Sequence, residues 1–322
     1  MFKIKKYVSP VWSISTYKGK NLMEILKPDR FNEPVLTKND ISDIIAEFIA
    51  DPFIVKENDE YYMFFELLDK LEQKGCIGLA ISKNGLEWKY NKVVLKEKFH
   101  LSYPYVFKYE EQYYMIPECG ESGYIKLYHS KKFPYEWECV VDLIEGTYGD
   151  ASIVFYDNKF WLFAEKMDLQ GNRNCNLHLY YSESLKHGWI EHPKSPLIID
   201  DYSKARPAGR IILFKNDIIR FSQNDLDYYG KNINMHKVTK LTIEDYDEEE
   251  VQLDLSGTGV DNKWNRDGMH HIDCCKLNND EWLVAVDGHY FHEISKLKYK
   301  LNRTIIKIKR KFLIVFRSFK IK

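Results

Sequence analysis

The chain lacks the short motifs that would place it in a familiar chemical class. Its six cysteines (Cys76, Cys119, Cys139, Cys175, Cys274 and Cys275) form no CxxC pair, and no Gly-rich phosphate loop, nucleophile elbow or HExxH segment occurs anywhere in the 322 residues. Those gaps leave no sequence signature for a structural zinc site, a P-loop nucleotidase, an α/β-hydrolase or a zinc protease. No run approaches the ~18–20 apolar residues of a membrane-spanning helix. The start, Met1-Phe-Lys-Ile-Lys-Lys6, has no apolar signal core, so the cysteines are expected to be free thiols in a cytoplasmic setting. Acid is missing from residues 296–322, which carry 11 Lys/Arg and no Asp or Glu. The other 295 residues therefore hold 36 basic against 48 acidic side chains, a balance of −12 beneath an overall net charge of −1. An acidic body argues against nucleic acid as a partner, because phosphate binding needs clustered positive charge.

What the chain does have is repetition. Three copies of an aromatic-rich pair of strands each end in a carboxylate fifteen residues after the opening residue. They are Asp51-Pro-Phe-Ile-Val with Tyr-Tyr-Met-Phe-Phe-Glu66, Tyr103-Pro-Tyr-Val-Phe with Tyr-Tyr-Met-Ile-Pro-Glu118, and Asp150-Ala-Ser-Ile-Val with Phe-Trp-Leu-Phe-Ala-Glu165. Weaker copies start at Ala208 and His271. Strand repeats of roughly 45–60 residues are the signature of a propeller, so the expected fold is all-β: a five-bladed β-propeller over residues 1–295. The blades are placed at about 51–97, 103–146, 150–200, 206–253 and 268–294, with residues 10–17 as a strand that closes the ring and removes two exposed edges. Asn58-Asp59 and Asp157-Asn158 suit tight hairpin turns. The pairing predicted from them sets Asp51 beside Glu66 and Asp150 beside Glu165, so that acids converge on one mouth of the axial channel. Aromatic residues make up 15% of the chain; most are expected between blades, though flat rings also stack on sugars.

These motifs, together with His100-Leu-Ser-Tyr-Pro104 and Ala205-Arg-Pro-Ala-Gly-Arg210, resemble the N-terminal domain of the plant glucosamine inositolphosphorylceramide transferases and their bacterial relatives. The likeness runs over about residues 10–290. That domain in turn resembles the five-bladed propellers of glycoside hydrolases such as arabinanases and β-xylosidases, and the likeness as a whole implies a carbohydrate-related role, often in building surface polysaccharide or glycolipid. In those hydrolases an Asp opening the first blade is the general base, an Asp opening the third tunes its pKa, and a Glu opening the fourth is the general acid. Asp51 matches the first and Asp150 the second. Arg206-Pro207-Ala208 stands where the acid should be, and arginine stays protonated at neutral pH. An inverting glycosidase needs both an acid and a base, so ordinary hydrolysis is not expected.

Candidate catalytic residues are thus Asp51, Asp150 and, as a substitute acid, Glu118. Glu66, His100, Glu165, Arg206, Arg210 and His271 are candidate substrate-binding groups. Arg206 and Arg210, placed on one strand face, would clamp a sugar phosphate or acidic sugar. The alternative for the glutamates is structural pairing with these arginines. On a strand, His271, Asp273 and Cys275 face away from His270 and Cys274, so neither a metal nor another cofactor is expected. Predicted partners are a glycan or sugar-phosphate ligand and a separate glycosyltransferase, for which the chain would be a binding module if it is not itself catalytic. The basic tail 296–322, with apolar residues every three or four positions, is expected to form an amphipathic helix at an anionic membrane surface, with a protein-docking tail or a final strand as alternatives.

Overall fold

The computed structural model describes residues 6–168, 173–278 and 280–319. Five four-stranded antiparallel sheets form a five-bladed β-propeller. The innermost strands are Ala46–Glu57, Ser102–Tyr109, Tyr148–Tyr156, Ile212–Phe214 and Ile272–Lys276, taken here as blades 1 to 5. Blade 5 is built from both ends of the fold. Its inner strand is followed by Glu281–Ser295, which pairs along its whole length with Lys6–Lys20, which in turn pairs with Leu36–Thr37. A 24-residue helix, Lys296–Phe319, continues from that blade.

The second strands explain the unbroken apolar runs. Met63 to Leu67 of Glu60–Asp69 and Phe160 to Glu165 of Lys159–Met167 are buried on consecutive residues, because a neighbouring blade covers each face of the sheet. Phe53, Phe64 and Leu79 of blade 1 pack with Tyr105, Val106 and Leu127 of blade 2. Phe221 and Met235 of blade 4 pack with Ile272, Trp282 and Val284 of blade 5, closing the ring. Two-residue turns join inner to second strands, with both central residues at positive φ at Glu110-Glu111, Asp157-Asn158 and Lys215-Asn216. That geometry matches the twist of a hairpin.

At the other end of each inner strand the register differs from the one expected. Glu66 opposes Ala50, Glu118 opposes Ser102 and Glu165 opposes Gly149, one residue earlier than Asp51, Tyr103 and Asp150. Each inner strand carries one extra residue there, and Asp51, Tyr103 and Asp150 adopt φ of 55°, 44° and 46°. A bulge of this kind bends the strand and re-aims one side chain, here toward the channel. Aspartate tolerates the left-handed region; tyrosine does so only under strain. The Tyr103 hydroxyl is correspondingly anchored on Ser152 Oγ at 2.7 Å and the Gly209 carbonyl at 3.0 Å, which plugs the channel.

Gly209 is the fourth blade's version of this bend, at φ 142°, with a Cβ position only 1.7 Å from the Ile272 carbonyl oxygen. No side chain fits without prising blade 4 from blade 5. Gly209→Ala is expected to lower unfolding stability by about 3 kcal/mol or more, the sum of backbone strain and overpacking; denaturant unfolding measures it, and a native-like midpoint would contradict the tight approach.

Candidate functional site

The bulges deliver their side chains to one mouth, where two electrostatic clusters form. The first surrounds Arg206, which is buried. Its guanidinium donates to Asp150 through Nε, to Glu165 Oε2 at 3.1 Å through Nη1 and to Glu118 Oε2 at 2.9 Å through Nη2. Glu118 also accepts from the Asp150 backbone N–H at 3.1 Å, and Gln223 Nε2 donates to Asp150 Oδ2 at 2.7 Å. Burial pushes the Asp150 carboxyl up to about 7 even though Arg206 opposes the shift; Glu118 adds to it. The carboxylates hold the arginine well above its ordinary value against the pull of desolvation.

The second cluster surrounds Asp51. Its Oδ2 accepts from the Tyr103 N–H at 3.2 Å, while Oδ1 lies 3.8 Å from His270 Nε2 and 3.7 Å from His271 Nδ1. His270 Nδ1 hydrogen-bonds to Asp287 Oδ1 at 2.8 Å, and Asp287 also accepts the backbone N–H groups of Asp51, His270 and His271 at 3.0–3.1 Å. Burial drives the two histidines down, but the carboxylates beside His270 outweigh it and raise that imidazole to about 9; at His271 burial prevails, with repulsion from His270 adding to it, and the ring falls to about 4. Asp51 is pushed well above the usual carboxylate range, chiefly by burial and with Glu66, Asp150 and Asp287 adding repulsion. The mouth thus holds a protonated His270 between a depressed Asp287 and an Asp51 that favours its neutral form.

Other expected residues are placed differently. Glu66 pairs with His100 rather than an arginine: His100 Nε2 lies 3.1 Å from Glu66 Oε1, and Nδ1 accepts from the Gly75 N–H at 3.0 Å, which fixes the tautomer. Arg210 does not share a face with Arg206. The bend at Gly209 turns it past the Tyr103 plug, where Nε donates to Asp273 Oδ1 at 2.7 Å and the guanidinium stacks on Tyr105 and Phe53. It lines a separate, mostly apolar 460 Å³ cavity at the opposite mouth, with Val106, Phe155 and Leu213. The expected two-arginine clamp is therefore absent. The predicted alternation at His270 and His271 also fails, because the regular strand starts only at Ile272, and both rings approach Asp51. As a result Asp51, His270 and Asp287 offer donor atoms within 4.8 Å of one another, a set able to hold a cation once His270 gives up its proton.

Two side chains that the repeat did not flag complete the mouth. Tyr229, about half exposed, lies over His270 with ring centroids 5.1 Å apart, and Trp12 from the closing strand lies 4.3 Å from the same imidazole. The loop presenting Tyr229 is pinned where Asp225 Oδ1 accepts the Gly230 N–H at 2.7 Å, and Gly230, at φ 79°, leaves no room for a Cβ against Trp12. Only the reading of residues 10–17 as the closing strand hinted at Trp12. Beneath the mouth, the buried acceptors His271 Nδ1 and Gln223 Oε1 find no hydrogen-bond partner among the described residues.

This propeller fold is shared with several solved glycoside hydrolases. The likeness extends to a GH62 α-L-arabinofuranosidase from Coprinopsis cinerea (TM-score 0.58, 11% identity, 86% of this chain and 96% of that one). It extends also to an α-L-arabinanase variant from Cellvibrio cellulosa (0.55, 16%, 76% and 90%) and to a family 117 glycoside hydrolase from Zobellia galactanivorans (0.51, 13%, 85% and 90%). At such identities these share a fold. Residues 12–289 match the family described as glucosamine inositolphosphorylceramide transferase 1, N-terminal, and the chain belongs to that family, hence to a carbohydrate-related group of proteins. It is 36% identical over 296 residues to glucosamine inositolphosphorylceramide transferase 1 of Oryza sativa subsp. japonica, covering 86% of this chain and 40% of the rice protein. Against the Arabidopsis thaliana protein of that name it is 33% identical over 251 residues, covering 77% and 33%. The chain thus spans two fifths or less of these relatives' length.

Two outcomes test the electrostatics. Arg206→Met would leave three acids without their cation and is expected to cost about 3–5 kcal/mol at neutral pH. The loss should shrink as pH falls, since Asp150 already titrates near 7 and protonation removes the repulsion; denaturant unfolding at neutral and acid pH would reveal it. Asp287→Asn removes the carboxylate that holds His270 up. Its imidazole, held up to about 9 in the native protein, should drop below 6.5 as burial takes over, a shift that an NMR titration of both forms would read. Because that pKa is raised on folding, its stabilisation is complete below 6.5 and fades as pH rises through 9. The variant should lose this component of the pH dependence.

Proposed function

We propose that the Asp51 mouth binds a saccharide and serves glycosyl transfer in the assembly of a surface polysaccharide or glycolipid. The observation that carries this reading is the division of labour among the acids. Arg206 engages Asp150, Glu118 and Glu165 together, whereas Asp51 has no arginine beside it among the described residues and sits instead against two histidines. One proton-handling carboxyl, backed by His270 and Asp287, suits a step in which a single sugar hydroxyl gains or loses a proton. Inverting hydrolysis needs two free carboxyls with room for water. Tyr229, about half exposed at the mouth, supplies a flat apolar surface on which a sugar ring stacks, backed by the buried Trp12.

A second reading has its own support. The chain matches the N-terminal part of much longer relatives that are named as transferases. On that reading it is a saccharide-binding module acting with a separate glycosyltransferase.

Tryptophan fluorescence titration with hexosamines, uronic acids and nucleotide sugars tests both. At least one class should bind, and Tyr229→Ala should weaken it tenfold or more. If the mouth is catalytic, Asp51→Asn abolishes transfer while leaving affinity within a few-fold; if it only binds, no transfer is seen in either form. No binding across the panel, or release of reducing sugar from chromogenic arabinosides or xylosides, would overturn the proposal.

A further inference from the structure

The helix Lys296–Phe319 is unlike the rest of the molecule. It carries nine of the 11 basic residues of the tail and no acid, and it follows a body with a balance of −12. At 3.6 residues per turn, Leu297, Leu301, Ile305, Ile308, Phe312, Val315, Phe316 and Phe319 fall within an arc of roughly 100°. On the same wheel Lys298 and Lys309 border that arc on one side and Lys300, Lys307 and Lys311 on the other, while Arg303, Arg310 and Arg317 fall opposite it. Long basic side chains flanking an apolar stripe are placed to reach upward to lipid phosphates while the stripe sinks among acyl chains.

The propeller does not cover this stripe where its side chains are described. Leu297, Leu301, Ile305 and Ile308 are 80%, 59%, 44% and 50% exposed. The helix is fastened at its root, where Tyr299 stacks on Tyr7 with ring centroids 3.7 Å apart and Ser295 Oγ accepts the Lys298 N–H at 3.3 Å. Among the described residues no helix is long and apolar enough to cross a membrane, so the geometry is that of a helix lying on one.

The root also sets a direction. Strand Glu281–Ser295 passes the level of the mouth at Asp287 and continues, paired with Lys6–Ser13, to Ser295, so the helix springs from the Asp51 face and not from the hairpin face. The Glu47 carboxylate, four residues before Asp51, is close enough to act on both the Tyr7 and Tyr299 phenols. Loops on the same face expose Ile199 (69%) and Leu226 (66%), and they are joined by the Asp225 N–H donating to the Tyr202 carbonyl at 2.9 Å.

We propose that Lys296–Phe319 is an interfacial helix that docks the protein on an anionic bilayer with the Asp51 mouth turned toward the lipid. A second copy of the chain is the competing occupant of the stripe, and positive charge along both helices opposes a helix-to-helix pairing.

The test uses the full chain with vesicles of phosphatidylcholine alone or mixed roughly three-to-one with phosphatidylglycerol. Cosedimentation should require the anionic lipid and weaken at high ionic strength. Two variants separate the contributions: Leu301→Gln with Ile305→Gln and Ile308→Gln, and Lys300→Gln with Lys307→Gln and Lys311→Gln. Each should reduce binding at least tenfold while thermal unfolding of the propeller stays unchanged, because the substituted residues lie outside its core. On vesicles, amide exchange should slow in residues 297–319 and in the loops around Leu226, and remain the same at the Asn58-Asp59 and Lys215-Asn216 hairpins. Equal binding to neutral vesicles, undiminished binding by both variants, protection of the hairpins instead, or a lipid-independent dimer lost in the apolar variant would each overturn the proposal. Sugar binding measured without vesicles reports on the mouth separately, so either idea can fail alone.

Discussion

The buried guanidinium of Arg206 is the constraint around which this propeller mouth is organised. It enters from the segment leading into blade 4 and is satisfied by Glu118 of blade 2 and by Asp150 and Glu165 of blade 3. Ion pairs this far from water gain little net stability, since desolvation offsets much of the attraction. Their geometric demand is strict, however: a guanidinium that stays charged while buried needs all three carboxylates in place around it. Three blades are thereby held in one arrangement, and Asp150 stays near 7 instead of rising further. The same contacts determine what chemistry is left over. With three acids committed to one cation, the proton-handling capacity of the mouth lies with Asp51 and the His270–Asp287 pair behind it.

The structural device behind both clusters is the extra residue at the start of each inner strand. Regular pairing would project alternate side chains into the faces between blades, where an acid would meet packed hydrocarbon. The left-handed residue rotates one side chain out of that alternation and into the channel. Blades 1 and 3 use the position for Asp51 and Asp150, and blade 2 uses it for Tyr103, whose ring seals the channel beneath them. Blade 4 uses Gly209, whose missing Cβ lets blades 4 and 5 come into contact. One backbone feature thus yields acids, a plug and a close approach, according to the residue placed there.

The charge on the chain is segregated in a way that fits this architecture. Acids concentrate in the propeller, where burial raises Asp51 and Asp150, and bases concentrate in a helix rooted on the same face as the mouth. A basic helix packed across the mouth would neutralise the acids that give it character. Its apolar residues instead remain exposed over the described part of the helix.

Much of the architecture was legible in the chain itself, because repetition is a one-dimensional property. The fifteen-residue spacing from Asp51 to Glu66, Tyr103 to Glu118 and Asp150 to Glu165, with turn dipeptides between, specifies hairpins, their number and the common end to which the acids run. The loss of an acid at Arg206 was equally visible, since it needs only a comparison of one motif with its siblings. What the tertiary structure decided was everything that depends on exact register or on residues far apart in sequence. A single bulged residue moved each glutamate opposite Ala50, Ser102 or Gly149, and the bend at Gly209 separated Arg210 from Arg206 by sending it past the plug. Trp12 became a neighbour of His270 because the first strand closes the last blade, and Tyr229 because blade 4 packs against blade 5. Periodicity follows from local backbone geometry and is written along the chain. The pairing of charges across blades depends on which side chains ring closure brings together, and no local pattern encodes that.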